Sequence, residues 1–266
     1  MPCLVLTPRL TVESLRLESA AAKRGWSSHR AARYRLPEQI VEPCVFGEMV
    51  FCDTIARELG LGLLEPSAGW LAELPYRYRS RDIRLLRHEA LSTVEKRSFI
   101  KPANDKLFEA GIFERGSHVP GRYIDPSMPV LVSEVFTFGF ELRCYVLDRQ
   151  VLTAGVYAMW GASGAKEGQL YEAGWQWASE MLADSDVALP SAVVVDVGFN
   201  PELRAWAVVE ANQAYASGVY EGGFLEDRAS PGADAQEVLR VIERASGLRH
   251  KVSPEDEKWL RPPEDE

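Results

Sequence analysis

Three short stretches place ionisable side chains at the ends or along one face of otherwise apolar segments. The first is Phe99-Ile100-Lys101-Pro102, an apolar run closed by lysine and then proline. Such a run puts an ammonium at the end of a strand, where it can meet an anion or simply snorkel to water. Lys106 adds a second cation five residues on, in a segment with loop character. The second stretch is Phe140-Glu141-Leu142-Arg143-Cys144-Tyr145-Val146. Side chains alternate with period two along a strand, so Glu141, Arg143 and Tyr145 share one face. Glu141 and Arg143 then form either part of a site or a structural ion pair. The third is Val193-Val194-Val195-Asp196 followed by Val208-Val209-Glu210-Ala211-Asn212. A carboxylate closing an apolar strand is costly unless its charge is compensated. Asp196, Glu210 and Asn212 are hard oxygen donors, the type that suits Mg²⁺ bridged to phosphate; surface carboxylates are the plainer alternative.

The elements that must position these residues follow from the pattern. Residues 3–6 read as a buried strand and 11–24 as a helix with Thr11 as N-cap, stopped by Gly25. Val41–Phe46 and a helix over 48–59 ending at Gly60 repeat the unit, which predicts a small α/β layer with parallel strands. Residues 76–81 (Tyr-Arg-Tyr-Arg-Ser-Arg) form a basic, aromatic run, read as a solvated connector with ligand contact as the alternative. Further strands are expected at 98–100, 130–133, 141–147, 151–158, 193–197 and 206–210. Helices are expected at 169–184 and 233–246. The charge- and proline-rich residues 251–266 read as a loose tail.

Composition narrows the function. Lys plus Arg is 30 against 39 Asp plus Glu, a net charge of −9. That argues against general nucleic-acid or anionic-membrane binding, which needs a basic surface. A small anionic ligand is still allowed if cations gather locally. Cys3, Cys44, Cys52 and Cys144 and the four histidines are scattered, without the spacing of a zinc or iron–sulfur site. No signal peptide or membrane-length apolar run is visible, which predicts a soluble, reduced, cytoplasmic protein.

Taken in order, the three stretches resemble the ATP-grasp superfamily, and more narrowly a small bacterial group of ATP-grasp domain proteins of unassigned substrate. That order is a strand lysine, a hinge beginning with Glu, a second Glu seven residues later, a strand Asp and a final Glu-x-Asn. Here these are Lys101, Glu134, Glu141, Asp196 and Glu210-Ala211-Asn212. Leu6-Thr7-Pro8-Arg9, Gly25-Trp26 and Gly69-Trp70-Leu71 resemble the smaller group, so the resemblance covers about residues 1–225. It implies an α/β (α+β) fold: an N-terminal pre-ATP-grasp layer over 1–82, then an ATP-grasp domain over 83–250. Within that domain a lysine-bearing lobe spans about 83–132 and a metal-bearing lobe about 133–250. Two departures stand out. Residues 103–111 contain one glycine where many members carry a glycine-rich phosphate loop. Val194 also stands two residues before Asp196, where many members carry arginine.

The roles implied by the resemblance are specific. Lys101 and Lys106 contact ATP phosphates. The main chain at 135–137 (Val135, Phe136, Thr137), entered through Glu134, hydrogen-bonds adenine, and Glu141 accepts from the ribose. Asp196, Glu210 and Asn212 hold one or two Mg²⁺ ions, and Arg143 replaces the absent arginine beside the transferring phosphoryl group. Arg84 and Lys96 are both open as a further cation, and Trp70, Trp160 and Tyr220 as lining of the substrate site. The implied reaction is ATP- and Mg²⁺-dependent ligation of a small-molecule or peptide carboxylate to an amine or thiol through an acyl-phosphate. A phosphotransferase or a non-catalytic ATP-binding module is the rival. The resemblance implies no nucleic-acid or membrane partner and leaves a homodimer open.

Overall fold

The structure is a computed structural model describing residues 1–103, 107–121, 123–160, 167–220 and 232–262. Lys106 lies outside the described residues. The chain opens with β1 (Cys3–Leu6), an unbroken apolar run buried on both faces. That is the signature of a central strand in a parallel sheet. α1 (Val12–Lys23) starts where expected: the Thr11 hydroxyl accepts from Ser14 N, and Ser14 Oγ accepts from Thr11 N, closing a capping box. β2 (Ser27–Arg30) follows Gly25, whose φ of +72° turns the chain back. β3 (Pro43–Phe46) and α2 (Met49–Leu59) complete the layer, with Gly60 in the left-handed region at the C-cap. The sheet runs β2-β1-β3, parallel throughout.

Two short helices, α3 (Trp70–Glu73) and α4 (Tyr76–Arg79), lead to a second sheet. It consists of β4 (Ile83–Arg87), β5 (Ser98–Pro102), β6 (Gly111–Phe113) and β7 (Pro129–Ser133), in the order β4-β7-β5-β6. The third sheet contains β8 (Phe140–Leu147) and β9 (Gln150–Met159), then, after α5 (Glu167–Ala183), β10 (Ala192–Asn200) and β11 (Ala205–Asn212). Its order is β11-β10-β8-β9 and all pairs are antiparallel. α6 (Ala235–Ala245) places Val238, Leu239 and Ile242 in one core with Leu4 and Leu6 of β1, Ile55 of α2, and Tyr145 and Val194 of the third sheet. The N-terminal layer and the third sheet therefore share a continuous apolar interior.

Two expectations are corrected. The run 76–81 is a solvated connector only in part: Tyr76 and Arg77 are exposed, but the run forms a short helix tied to its neighbours and Arg81 is buried. Arg77 pairs with Asp184 (2.5 Å) and Asp186 (3.1 Å), and the Tyr78 hydroxyl donates to Asp184 at 2.6 Å. The loose tail is also overturned for residues 251–262. Trp259 is buried, Leu260 bridges to Leu64, and Arg261 pairs with Asp53 (2.8 Å) and Glu65 (3.0 Å). Charge made this segment read as solvent-facing, yet its arginine neutralises two poorly exposed carboxylates brought in from α2 and the loop after it.

Candidate active site

β10 lies between β8 and β11, and the ladder sets the site. Asp196 is paired across to Arg143 on one side and to Glu210 on the other. Directly opposed residues share a face, so one row across three strands reads cation, anion, anion. A bulge lies beside the row: Asp196 pairs with Glu210 but Val197 with Val208, leaving Val209 as the extra residue. The buried Arg81 guanidinium donates to the carbonyls there, to Val208 at 2.9 Å and Val209 at 3.3 Å.

Hydrogen bonds join the row into a network. Arg143 donates through Nε (2.8 Å) and Nη2 (2.7 Å) to the two oxygens of Asp196. The Asn212 amide donates to Asp196 at 3.2 Å and to Glu210 at 2.9 Å. Lys101, arriving from β5 of the second sheet, pairs with the other Glu210 oxygen. The structure thus brings Lys101, Arg143, Asp196, Glu210 and Asn212 together from two sheets. Four of the five line a cavity of about 960 Å³; Asp196 lies behind Arg143, 1% exposed. The N-terminal layer contributes Glu48, Met49 and Val50 to the wall, and the segment after β11 contributes Gln213, Ser217, Gly218 and Tyr220.

The charges are strongly interdependent. Burial pushes the Glu141 carboxyl up to about 7, and the charges of Asp196 and Glu210 add to it, with Arg143 and Arg81 pulling the other way. Burial likewise disfavours the Glu210 charge, but contact with Lys101 overrides it and holds that carboxyl below its usual range. Burial also disfavours the Arg143 charge, and Asp196 more than offsets this, keeping the guanidinium above its usual value. The partner of Arg143 is therefore Asp196 and not Glu141, which corrects the structural-pair expectation. The cause is the ladder: Glu141 is opposed by Gly198, two residues along β10.

Other expected residues fall elsewhere. Glu134, Val135 and Thr137 lie in the connector between β7 and β8, and none of them is on the cavity wall. Glu134 is tied to Asp82 in both directions: its N–H donates to Asp82 O at 3.0 Å, and its carboxylate accepts from Asp82 N at 2.9 Å. Phe136 and Phe138 pack on the Arg81 guanidinium. Arg84 and Lys96 are exposed and off the cavity. Trp70 is buried and donates to Ala188 O, and Trp160 is 63% exposed, so of the three aromatics only Tyr220 lines the cavity. Tyr157 of β9 also lines it and was not legible in the sequence, because an aromatic in a strand reads as core.

The ordered lysine, hinge and Glu-x-Asn signatures lie within a matching family model, an ATP-grasp domain (family 2 of its clade), over residues 78–223, more than half of the chain. The chain belongs to this ATP-grasp family. The ATP-grasp fold is also found in solved structures of low identity. The RimK domain protein ATP-grasp from Sphaerobacter thermophilus matches at 16% identity and a TM-score of 0.54, covering 92% of this chain and 99% of that chain. The macrocyclase MdnC bound with precursor peptide MdnA, from Microcystis aeruginosa, matches at 13% and 0.51, covering 91% and 99%. D-alanine–D-alanine ligase from Bacillus anthracis matches at 12% and 0.50, covering 91% and 96%. No curated protein matches the chain. Among the described residues of this ATP-grasp protein, no helix is long and apolar enough to cross a membrane.

Proposed function

We propose that this protein is an ATP- and Mg²⁺-dependent ligase that activates a carboxylate as an acyl-phosphate for attack by an amine or thiol. The observation that carries this is the inter-sheet network at the cavity wall. Lys101 from one sheet meets Glu210, Asn212, Asp196 and Arg143 on the other, inside a family built to bind ATP.

The donor set fits Mg²⁺. Among the described residues, no three His, Cys, Asp or Glu side chains are arranged to hold a metal by themselves. Mg²⁺ is commonly held by one or two carboxylates together with substrate phosphates. Glu210 and Asn212 stand on the wall, and the Asp196 and Glu210 charges, which add to the effect of burial on Glu141, are ones a divalent cation would offset. Both Asp196 oxygens are engaged by Arg143 and Asn212, so Asp196 serves as a ligand only when one of them yields. The ion would supply charge neutralisation at the phosphates.

The residues of this chain would act as follows. Lys101 leaves Glu210 for the phosphates when nucleotide enters. Arg143 stabilises charge on the transferring phosphoryl group, the task of the arginine that Val194 displaces. The main chain of 135–137 receives adenine, and Glu141 receives the ribose hydroxyls. Positioning and preorganised charge are the chief means of catalysing phosphoryl transfer.

The test measures the thermal shift with millimolar Mg-ATP and ADP release with pooled carboxylates and amines. Nucleotide-dependent stabilisation with ADP release and a condensed product supports ligation. A phosphorylated product would make the protein a phosphotransferase, stabilisation without turnover a binding module, and no shift would remove the nucleotide site altogether.

A further inference from the structure

The Arg143 guanidinium is held by more than Asp196. Its Cζ lies 4.6 Å from the ring centroid of Tyr157 and 5.1 Å from that of Tyr220. The two rings meet edge to face, 4.9 Å apart at 83°, so the guanidinium is seated in an aromatic corner. Two details of the chain build that corner. Tyr157 is the extra residue of a bulge in β9, since Leu142 pairs with Val156 and Glu141 with Ala158. Bulges beside functional sites re-aim a side chain. Gly155 is opposed to Arg143, and a Cβ there would stand 2.8 Å from Tyr220 O and 3.3 Å from Ala233 N. Only glycine at 155 lets the chain bearing Tyr220 cross β9 so closely.

The hydrogen bonds of Arg143 then leave a defined remainder. Nε and one Nη2 proton go to Asp196, and one Nη1 proton goes to Gly218 O at 3.3 Å. Among the described residues, one N–H on each Nη is left without a hydrogen bond, on a residue that lines the cavity. We propose that Tyr157 and Tyr220 are positioning residues, seating Arg143 so that this remaining pair of donors is presented to the cavity at a fixed angle. This rests on the reading of Arg143 as the residue that stabilises the phosphoryl group. Stacking on aromatic faces suits a planar guanidinium, and a rigid fork loses little freedom when it binds. Small displacements of a positioned group cost rate steeply.

The experiment uses the full chain labelled with ¹⁵N-arginine. Rotation about the Nε–Cζ and Cζ–Nη bonds of Arg143 is followed by NMR, with the resonances assigned by their loss in Arg143→Lys. ADP release from Mg-ATP with pooled carboxylates, and the KM for ATP, are measured alongside. Tyr157→Leu and Tyr220→Leu are expected to speed rotation at least tenfold and to lower kcat about tenfold, with KM for ATP within twofold. Tyr157→Phe, which keeps the ring, is expected to restore slow rotation and most of the lost turnover. If both Leu variants keep wild-type rotation, Asp196 alone holds the guanidinium and the proposal falls. It also falls if rotation quickens while kcat stays unchanged and Arg143→Lys is nevertheless slow. If Arg143→Lys itself turns over at the wild-type rate, it is the catalytic reading of Arg143 that fails.

Discussion

Arg143 on β8 and Asp196 on β10 stand at paired ladder positions, and the guanidinium grips the carboxylate with two parallel hydrogen bonds of 2.8 and 2.7 Å. Both side chains are nearly inaccessible, 7% and 1% exposed. A two-pronged pair of this kind is strong and fixed in direction, and removing one partner strands a buried charge.

Arg143→Lys keeps the charge and loses the fork. It is expected to fold, to bind Mg-ATP nearly as the wild type does, and to lower kcat by about two orders of magnitude. Arg143→Met leaves Asp196 without its cation and is expected to cost about 3–5 kcal/mol of stability. Urea midpoints and steady-state kinetics separate the effects. Wild-type kcat in the lysine variant would reduce Arg143 to a partner for Asp196.

Lys101 and Glu210 connect the second and third sheets, each with a fraction of its side chain in water. Lys101→Ala is expected to lower stability without nucleotide by about 1–3 kcal/mol, because burial disfavours the Glu210 charge once the ammonium is gone and only Asn212 and partial exposure offset it. The thermal shift with Mg-ATP, in contrast, is expected to be largely lost. An undiminished shift would show that Lys101 does not touch the phosphates.

Glu141 gives stability without nucleotide a pH dependence. Its carboxyl titrates near 7 when folded and at its ordinary value, 4.5, when unfolded. Between those values the native state binds the extra proton, so stability falls as pH rises through the window and stays low above it. The full difference is on the order of 3 kcal/mol. Glu141→Gln is expected to flatten this slope and to be more stable than wild type at pH 8. Chemical denaturation at pH 5 and pH 8 checks it, and parallel slopes in the two proteins would refute it.

The last described segment is structural. Ending the chain at Lys251 removes the buried Trp259, the Leu64–Leu260 bridge and the Arg261 pairs to Asp53 and Glu65. A loss of about 3–5 kcal/mol is expected, from carboxylates deprived of their cation and lost burial. Arg261→Ala alone should reproduce much of it. A thermal midpoint within a degree of wild type would return the segment to the status of a loose tail.

Much of the fold was legible because local signals agreed. The apolar run of β1, the Thr11 cap of α1 and the Gly60 stop of α2 each report a local cause, and the parallel layer follows from them. β2 was not legible: Ser-Ser-His-Arg carries no apolar alternation, and it becomes a strand only because β1 offers an open edge. The exposed edge strand β6 escaped for a related reason, being three residues long.

Within the site, sequence alone determined which residues could share a strand face, and so grouped Glu141 with Arg143 and Glu210 with Asn212. Spacing along one strand carries that information because alternation is a property of the backbone. Which strand lies beside which is decided by packing over the whole chain. Placing β10 between β8 and β11 took Arg143 from Glu141 and gave it to Asp196; the bulge of β11 against β10 accommodates Arg81, and the separate bulge of β9 against β8 aims Tyr157. The junction of Lys101 with Glu210 came from tertiary structure too, for it needs two sheets that meet only when the chain has folded.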